Sequence, residues 1–353
     1  IGEWERDKLC RFALLAGDEE PFVWDFGSAA VHHQLNCDWL DPNRCLAGMT
    51  GMRGTVPPSV GLMKSHAEEI MSYLKQAGVA DMPIGLDIAE TAMFFELQNA
   101  GMNIVDGQQV MLDAREIKNI DEITLLNQAA TMVDGVYHMI YEELKPGVRE
   151  NDIVALSNQM LYEMGSDDVE AINAISGERC SPHPHNFTDR MFRPGDQAFF
   201  DILQSYQGYR TCYYRTFNVG TATSEQNDAY IQCREWLDKA IELIKPGVST
   251  DTVAKAWPKA EEFGFDSEMQ AFGLQFGHGL GLALHERPII SRLVSLENPM
   301  EIKTGMVFAL ETYCPAKDGV SAARIEEEVV VTDKGCKVIS LFPAEDLPIA
   351  NRY

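Results

Sequence analysis

Positive charge is scarce in this chain. Its 353 residues hold 29 lysines and arginines against 54 aspartates and glutamates, a formal net charge of −25. So acidic a surface repels phosphate backbones and anionic headgroups, which argues against nucleic acid or a membrane surface as partner. Long apolar runs are lacking too. No stretch of about 18 apolar residues occurs, so no membrane-spanning helix is predicted. No basic start leads into an apolar core, so no secretory leader is read. Organised cysteine is the third absence. The eight cysteines, at 10, 37, 45, 180, 212, 233, 314 and 336, show neither CxxC spacing nor clustering. That scatter excludes a disulfide framework and reads as the reduced thiols of a cytoplasmic protein, most of them small buried hydrophobes.

What is present is length and apolar content. With 45% hydrophobic residues, the chain can bury a substantial core, divided between two domains. Residues 1–113 mix strand-like runs (RFALLAG, PFVWDFG, MPIGLDIA) with a helix-like one, VGLMKSHAEEIMSYLKQAG. That helix enters after Pro57-Pro58-Ser59 and stops at Gly78, which makes a small α/β domain. Its histidine pair, His32-His33, reads as structural, since neighbouring side chains point apart. From residue 114 the pattern changes. REIKNIDEITLLNQAATMVDGVYHMIYEELKPG and SEQNDAYIQCREWLDKAIELIKPG are long amphipathic helix patterns, closed at Lys145-Pro146-Gly147 and Lys245-Pro246-Gly247. The phrase LKPGVRENDI returns as IKPGVSTDTV, and Gly195 precedes Asp201 by the same step as Gly305 precedes Glu311. Two echoes in one order predict a duplicated helix-plus-strands unit over residues 114–353.

Chemistry gathers on the strands of that duplication. Asp201 and Cys212 stand equidistant from Tyr206-Gln207, so a hairpin folded there pairs them directly. Glu311 and Glu326 stand equidistant from the turn dipeptide Asp318-Gly319. Carboxylates in strands as apolar as QAFFDIL and MVFALETY are costly to bury alone. A divalent cation relieves that cost. So do ion pairs with Arg215 and Arg324, and spacing alone leaves both readings open. FGHGLGLALHERP adds His278 and His285 among glycines that permit close backbone approach, and SPHPHNFTDR adds His183 and His185 on a proline-stiffened loop.

On the motifs FDILQSYQGYRTCYYRTF, FGHGLGLALHERP, GMVFALET and ARIEEEVVVT, in that order and spacing, the chain from about residue 115 onward resembles the pita-bread superfamily of methionine aminopeptidase, aminopeptidase P, prolidase and creatinase. The resemblance implies an α+β fold: a pita-bread catalytic domain over 114–353 behind a smaller N-terminal α/β domain of creatinase type over 1–113, lacking its first strand and helix. It also implies a homodimer acting on a dipeptide or other small molecule. In the metal-dependent members, Asp, Asp, His, Glu and Glu hold two divalent ions. Asp201, His278, Glu311 and Glu326 match four of these, and Cys212 falls where the second, bridging Asp belongs. His285 matches a histidine that contacts substrate or steadies the tetrahedral intermediate, His185 a pocket histidine, and Arg324 a neighbouring arginine.

The cysteine is a departure. Sulfur in place of a hard bridging carboxylate favours zinc or iron over manganese. It also leaves open a metal-free site of creatinase type. The leading expectation is therefore a hydrolase of a small C–N substrate, Xaa-Pro peptidase-like or creatinase-like, with water attack among Asp201, Cys212, His278, Glu311 and Glu326. The alternatives are a dimethylsulfoniopropionate-type lyase, suggested by ISGERCSP and the general layout, and a non-catalytic binding relative.

Overall fold

The strand-like runs and amphipathic stripes sort into two compact units, Ile1–Asp113 and Ala114–Tyr353, in a computed structural model that describes residues 11–48 and 56–352. In the first unit, β1 (Phe12–Leu14), β2 (Phe22–Phe26) and β3 (Cys45–Gly48) form one sheet, with α1 (Ser28–Asn36) joining the last two strands. Helix α2 (Leu62–Gln76) begins four residues beyond Pro58, and its chain leaves the helix through Gly78 at φ 72°. Its apolar stripe of Met63, Ala67, Met71 and Leu74 packs on Met93 and Leu97 of α3 (Thr91–Asn99). A parallel pair, β4 (Ile84–Leu86) and β5 (Ile104–Asp106), flanks α3, and α4 (Gln108–Arg115) follows. His33 of α1 meets the buried Asp25 at 2.7 Å, a structural bond.

The second unit is built from two related halves. The first comprises α5 (Ile120–Glu143), α6 (Glu150–Glu163), β6 (Asp168–Ser176), β7 (Gln197–Tyr206) and β8 (Tyr209–Val219). The second comprises α7 (Ser224–Leu243), α8 (Thr250–Ala256), β9 (Phe276–Gly279), β10 (Glu286–Ile290), β11 (Val307–Pro315), β12 (Ala322–Val331) and β13 (Cys336–Val338), and β14 (Ile349–Ala350) returns to pair with β8. The helix pattern that opens at Arg115 in the sequence starts only at Ile120. Asn119 and Glu122 form a reciprocal capping box there, which ends the preceding turn and nucleates the helix. Thr223 and Gln226 do the same for α7.

Backbone bonds repeat between the halves. Gly147 donates to Phe192 at 3.0 Å and Gly247 to Ile302 at 2.9 Å; Phe192 donates to Val148 and Ile302 to Val248, both at 2.8 Å. Isolated bridges Arg149–Met191 and Ser249–Glu301 match as well. The strand orders are β14-β8-β7-β6 and β10-β9-β11-β12-β13. Helices α5 and α6 cover the first sheet and α7 and α8 the second, each pair enclosing its own apolar core. The sheets meet through β8 and β12. Thr216 Oγ1 donates to the Arg324 carbonyl at 2.6 Å and accepts from the Arg324 amide at 2.8 Å. Such a layout buries β12 along its whole length, glutamates 326, 327 and 328 included. Among the described residues all seven cysteines are free thiols; Cys10 lies outside them.

Candidate metal centre

Buried carboxylates in an apolar strand need partners, and the three of β12 find different ones. Glu327, on the outer face, takes Arg215 at 2.8 Å and Arg234 at 2.7 Å. Arg215 is thereby committed away from the candidate ligands. Glu328 accepts from Thr211 Oγ1 at 2.8 Å and from the Cys212 amide at 2.7 Å. Glu326 faces a small buried cluster drawn from five strands.

The β7–β8 register differs from the expected one. Asp201 pairs with Tyr214, and Cys212 with Leu203. The two-residue turn is Gln207-Gly208, both at positive φ (50° and 84°), because the tight hairpin turn that suits strand twist needs left-handed backbone at both central positions and Gly208 supplies the second. Moving the turn by one residue shifts the pairing by two, so Cys212 keeps the same face but stands diagonal to Asp201. Its thiol still reaches Asp201 Oδ1 at 3.5 Å and the Glu326 carboxylate at 3.8 and 4.0 Å. In the second hairpin Glu311 pairs directly with Glu326. His278 of β9 lies opposite Ala309, which puts it on the same face as Glu311.

His278 is the most informative of the group. It is fully buried, and its Nδ1 lies 2.9 Å from the Gly279 carbonyl, which can only accept, so Nδ1 carries the proton. The free lone pair is therefore on Nε2. That atom makes no hydrogen bond of normal distance and angle and faces Glu326 Oε1 at 3.9 Å. Burial, then the neighbouring His285, pushes the imidazole down to about 3, against weaker support from the Gly279 and Leu284 carbonyls. It stays neutral, as a ligand requires. Ligand atoms of Cys212, His278 and Glu326 all lie within 4.8 Å of one another.

Around this trio the environment resists negative charge. Burial raises the Asp201 carboxyl to about 6, while Arg324, Asn173 and Tyr214 pull the other way. Burial raises Glu311 to about 7, opposed by Arg324. Burial, with Glu311 and Asp201 nearby, sets Glu326 well above the carboxylate range, and burial with the surrounding carboxylates does the same to the Cys212 thiol. Acids crowded into one dry space are all pushed toward their protonated forms, and a bound cation would reverse that push.

The other expected residues are distributed unevenly. Arg324, fully buried, ion-pairs with Glu311, so part of the ion-pair alternative holds alongside the ligand trio. His285 is exposed, its ring centroid 4.4 Å from that of His278. The turn that carries it is anchored by the buried Glu286, which meets Lys118 at 2.8 Å and accepts from the Ala283 amide at 3.0 Å. Of the two loop histidines, His183 rather than His185 reaches inward. Its Nε2 accepts from Arg324 at 2.7 Å, and burial followed by the Arg324 charge lowers it to about 2. His185 is exposed and touches His183, ring to ring at 4.5 Å. Asn173, which donates to Asp201 Oδ2 at 3.1 Å, and Tyr214, across the register from Asp201, escaped the sequence reading. The signal for Asn173 is present: it is an amide in the otherwise apolar run AINAI.

Residues 124–333 match the family model described as metallopeptidase family M24. The chain belongs to metallopeptidase family M24. Among curated relatives, a probable dipeptidase PepE of Mycobacterium tuberculosis is 28% identical over 323 residues, covering 90% of this chain and 78% of the relative. An Xaa-Pro dipeptidase of Pyrococcus furiosus is 30% identical over 234 residues, 65% of this chain and 64% of the relative. The solved X-Pro aminopeptidase of Thermotoga maritima superposes with a TM-score of 0.76 at 19% identity, over 96% of this chain and 88% of that one. The fold is accordingly the pita-bread arrangement of M24, preceded by a smaller N-terminal unit. Membership in M24 makes the chain a peptidase by family and implies a divalent ion. The donors fit one. Sulfur, imidazole nitrogen and carboxylate oxygen are borderline-to-soft ligands, and the orphaned Nε2 of a histidine clamped through its other nitrogen is how ligand histidines are held.

Proposed function

We propose that this M24 member hydrolyses the peptide bond of a dipeptide or Xaa-Pro substrate at the cluster of Cys212, His278 and Glu326, flanked by Asp201 and Glu311. The observation that carries this reading is the buried, unpartnered Nε2 of His278, aimed at a thiol and a carboxylate. Cys212, His278 and Glu326 hold the ion, zinc or iron in preference to manganese, since one donor is sulfur. When bound, it supplies Lewis acidity, polarising the scissile carbonyl and acidifying water.

The protein's own groups do the rest. Burial keeps Glu311 ready to take and return a proton near neutral pH, so it accepts the proton of the attacking water and passes it to the leaving amine. Arg324 orients that carboxyl from one side. His285, neutral and at the open edge, donates to the carbonyl oxygen as negative charge develops there. Asp201, steadied by Asn173, offers a carboxylate to a substrate's free amine. The family match favours this hydrolysis over the lyase reading.

The decisive experiment assays the chelated chain against Xaa-Pro and other dipeptides, then restores zinc, iron or manganese. Hydrolysis is expected to return with zinc or iron, and His278→Ala to abolish both ion uptake and turnover, at least 100-fold in rate. Undiminished hydrolysis by chelated His278→Ala would sink the reading.

A further inference from the structure

We propose that Arg210 is a positioning residue for His285: from the first half of the unit it straps the turn over 280–285 and so fixes where that imidazole stands at the open edge of the centre. The inference deepens the peptidase reading above and rests on the role given there to His285.

The turn has little of its own to hold it. It leaves β9 at Gly279 and enters β10 at Glu286, which pair across it. Its inner side is already full: a Cβ on Gly281 would lie 2.7 Å from Glu286 Oε2 and 2.9 Å from Lys118 Cε. On its outer side Leu282 and His285 are exposed. The His285 ring rests against that of His278, centroids 4.4 Å apart, and otherwise points where the turn sends it.

What secures the outer side is the start of β8. The Arg210 amide donates to the Gly281 carbonyl at 2.8 Å, and its guanidinium donates to the Leu282 carbonyl. Two consecutive carbonyls of the turn are thus taken by one residue. The Leu282 side chain lies over Gly208, 3.8 Å from where a Cβ on that glycine would stand.

Arg210 is itself aimed. Its Nε donates to Glu170 at 2.6 Å and a terminal nitrogen to the Gly208 carbonyl at 3.0 Å. Glu170 is the extra residue of a β-bulge, for Val169 pairs with Gln204 and Ala171 with Leu203. A bulge bends its strand and re-aims a side chain, and bulges gather beside active sites. Arg210 also shares its strand face with Cys212, two residues on. A planar guanidinium reaches a carboxylate and carbonyls together, which an ammonium on a flexible stem does not. Both side chains of the pair are 23% exposed, so losing it weakens the turn more than the fold.

The test compares wild type, Arg210→Met, Arg210→Lys, His285→Ala and the double variant Arg210→Met/His285→Ala, each loaded with zinc. Amide hydrogen exchange reads the strap, since the amides of 280, 281 and 283 are hydrogen-bonded. In Arg210→Met the peptide over 280–286 is expected to exchange at least about tenfold faster, with peptides from β7, β11 and β12 unchanged. In ¹³C-histidine-labelled protein the His285 ring signal, assigned by its loss in His285→Ala, is expected to move. Dipeptide hydrolysis reads the consequence: kcat falls about tenfold in Arg210→Met, with KM within about twofold and zinc per chain unchanged. Arg210→Lys recovers part of this, and it carries the comparison if the methionine variant does not fold. In the His285→Ala background Arg210→Met costs less than about twofold more, because nothing is left to position.

Unchanged exchange over 280–286 overturns the inference, as does an unmoved His285 signal. So does a loss of kcat that persists in full without His285. The proposed function fails separately: a wild type that hydrolyses no dipeptide sinks that reading, and exchange with the ring signal still decides this one.

Discussion

Tyr137 shows how single side chains tie this molecule together. Its hydroxyl lies 2.8 Å from the Phe200 carbonyl and 2.6 Å from that of Tyr213, so one phenol on α5 clamps both strands of the β7–β8 hairpin. Tyr137→Phe removes that donor from a fully buried place, and we expect a loss of about 1–2 kcal/mol in urea unfolding, with metal stoichiometry unchanged. Arg190 is a second such point. It pairs with Glu178 and Asp196, both at 2.6 Å, and pins the two ends of the segment that carries His183. The Arg190 hydrogen bonds hold the Glu178 carboxyl down to about 2. A depressed carboxyl stabilises the fold above its ordinary value near 4.5 and loses that contribution as pH falls through about 2. Glu178→Gln should therefore lower the unfolding midpoint slightly at pH 7, by less than about 1 kcal/mol because the carboxyl is half exposed, and the gap to wild type should narrow steadily on acidification. At this scale much was legible. Residue types and spacing named Asp201, Cys212, His278, Glu311 and Glu326, all five of which come together on adjoining strands. What spacing does not carry is side-chain direction: that Arg324 turns toward Glu311 while Arg215 turns away depends on which face of a strand meets which sheet.

At the level of elements, β9 is the most constrained. It runs between β10 and β11, and its glycines are there because neighbouring backbone fills the space of a side chain. A Cβ on Gly279 would lie 2.7 Å from the Arg287 carbonyl carbon and 2.9 Å from that of Glu286, atoms that cannot move without parting the strands. At Gly277 the nearest obstacle, at 2.6 Å, is the flexible end of Leu310. Gly279→Ala should accordingly cost about 3 kcal/mol or more and Gly277→Ala nearer 1, an ordering that thermal melts of the two variants will reveal. Helix exits at Lys-Pro-Gly were readable because that signal is local, whereas the capping box that delays α5 to Ile120 went unread. The strand register was not. A hairpin's pairing follows from which two residues occupy the turn, and Tyr206-Gln207 and Gln207-Gly208 differ only in where the left-handed backbone falls. The duplicated order of helices and strands was legible because it repeats as text, whereas the seam between the sheets, formed by residues over a hundred positions apart, leaves no periodic trace.

The whole second unit is two similar halves, and neither holds all of the candidate ligands. Asp201 and Cys212 come from the first, His278, Glu311 and Glu326 from the second. Where β8 crosses β12, the Cys212 amide and the Thr211 hydroxyl both donate to Glu328. Any ion held by Cys212 and Glu326 joins these same two strands. Binding to the folded form alone adds about 4 kcal/mol of stability at a free ion concentration a thousand times its dissociation constant. Unfolding midpoints should therefore climb with free zinc and drop on chelation, and His278→Ala should flatten both responses. The seam thus works as a clasp as well as a workshop. A compound that strips the ion would stop turnover and also loosen the hold of one half on the other, so in a living cell idle enzyme would be followed by vanishing protein.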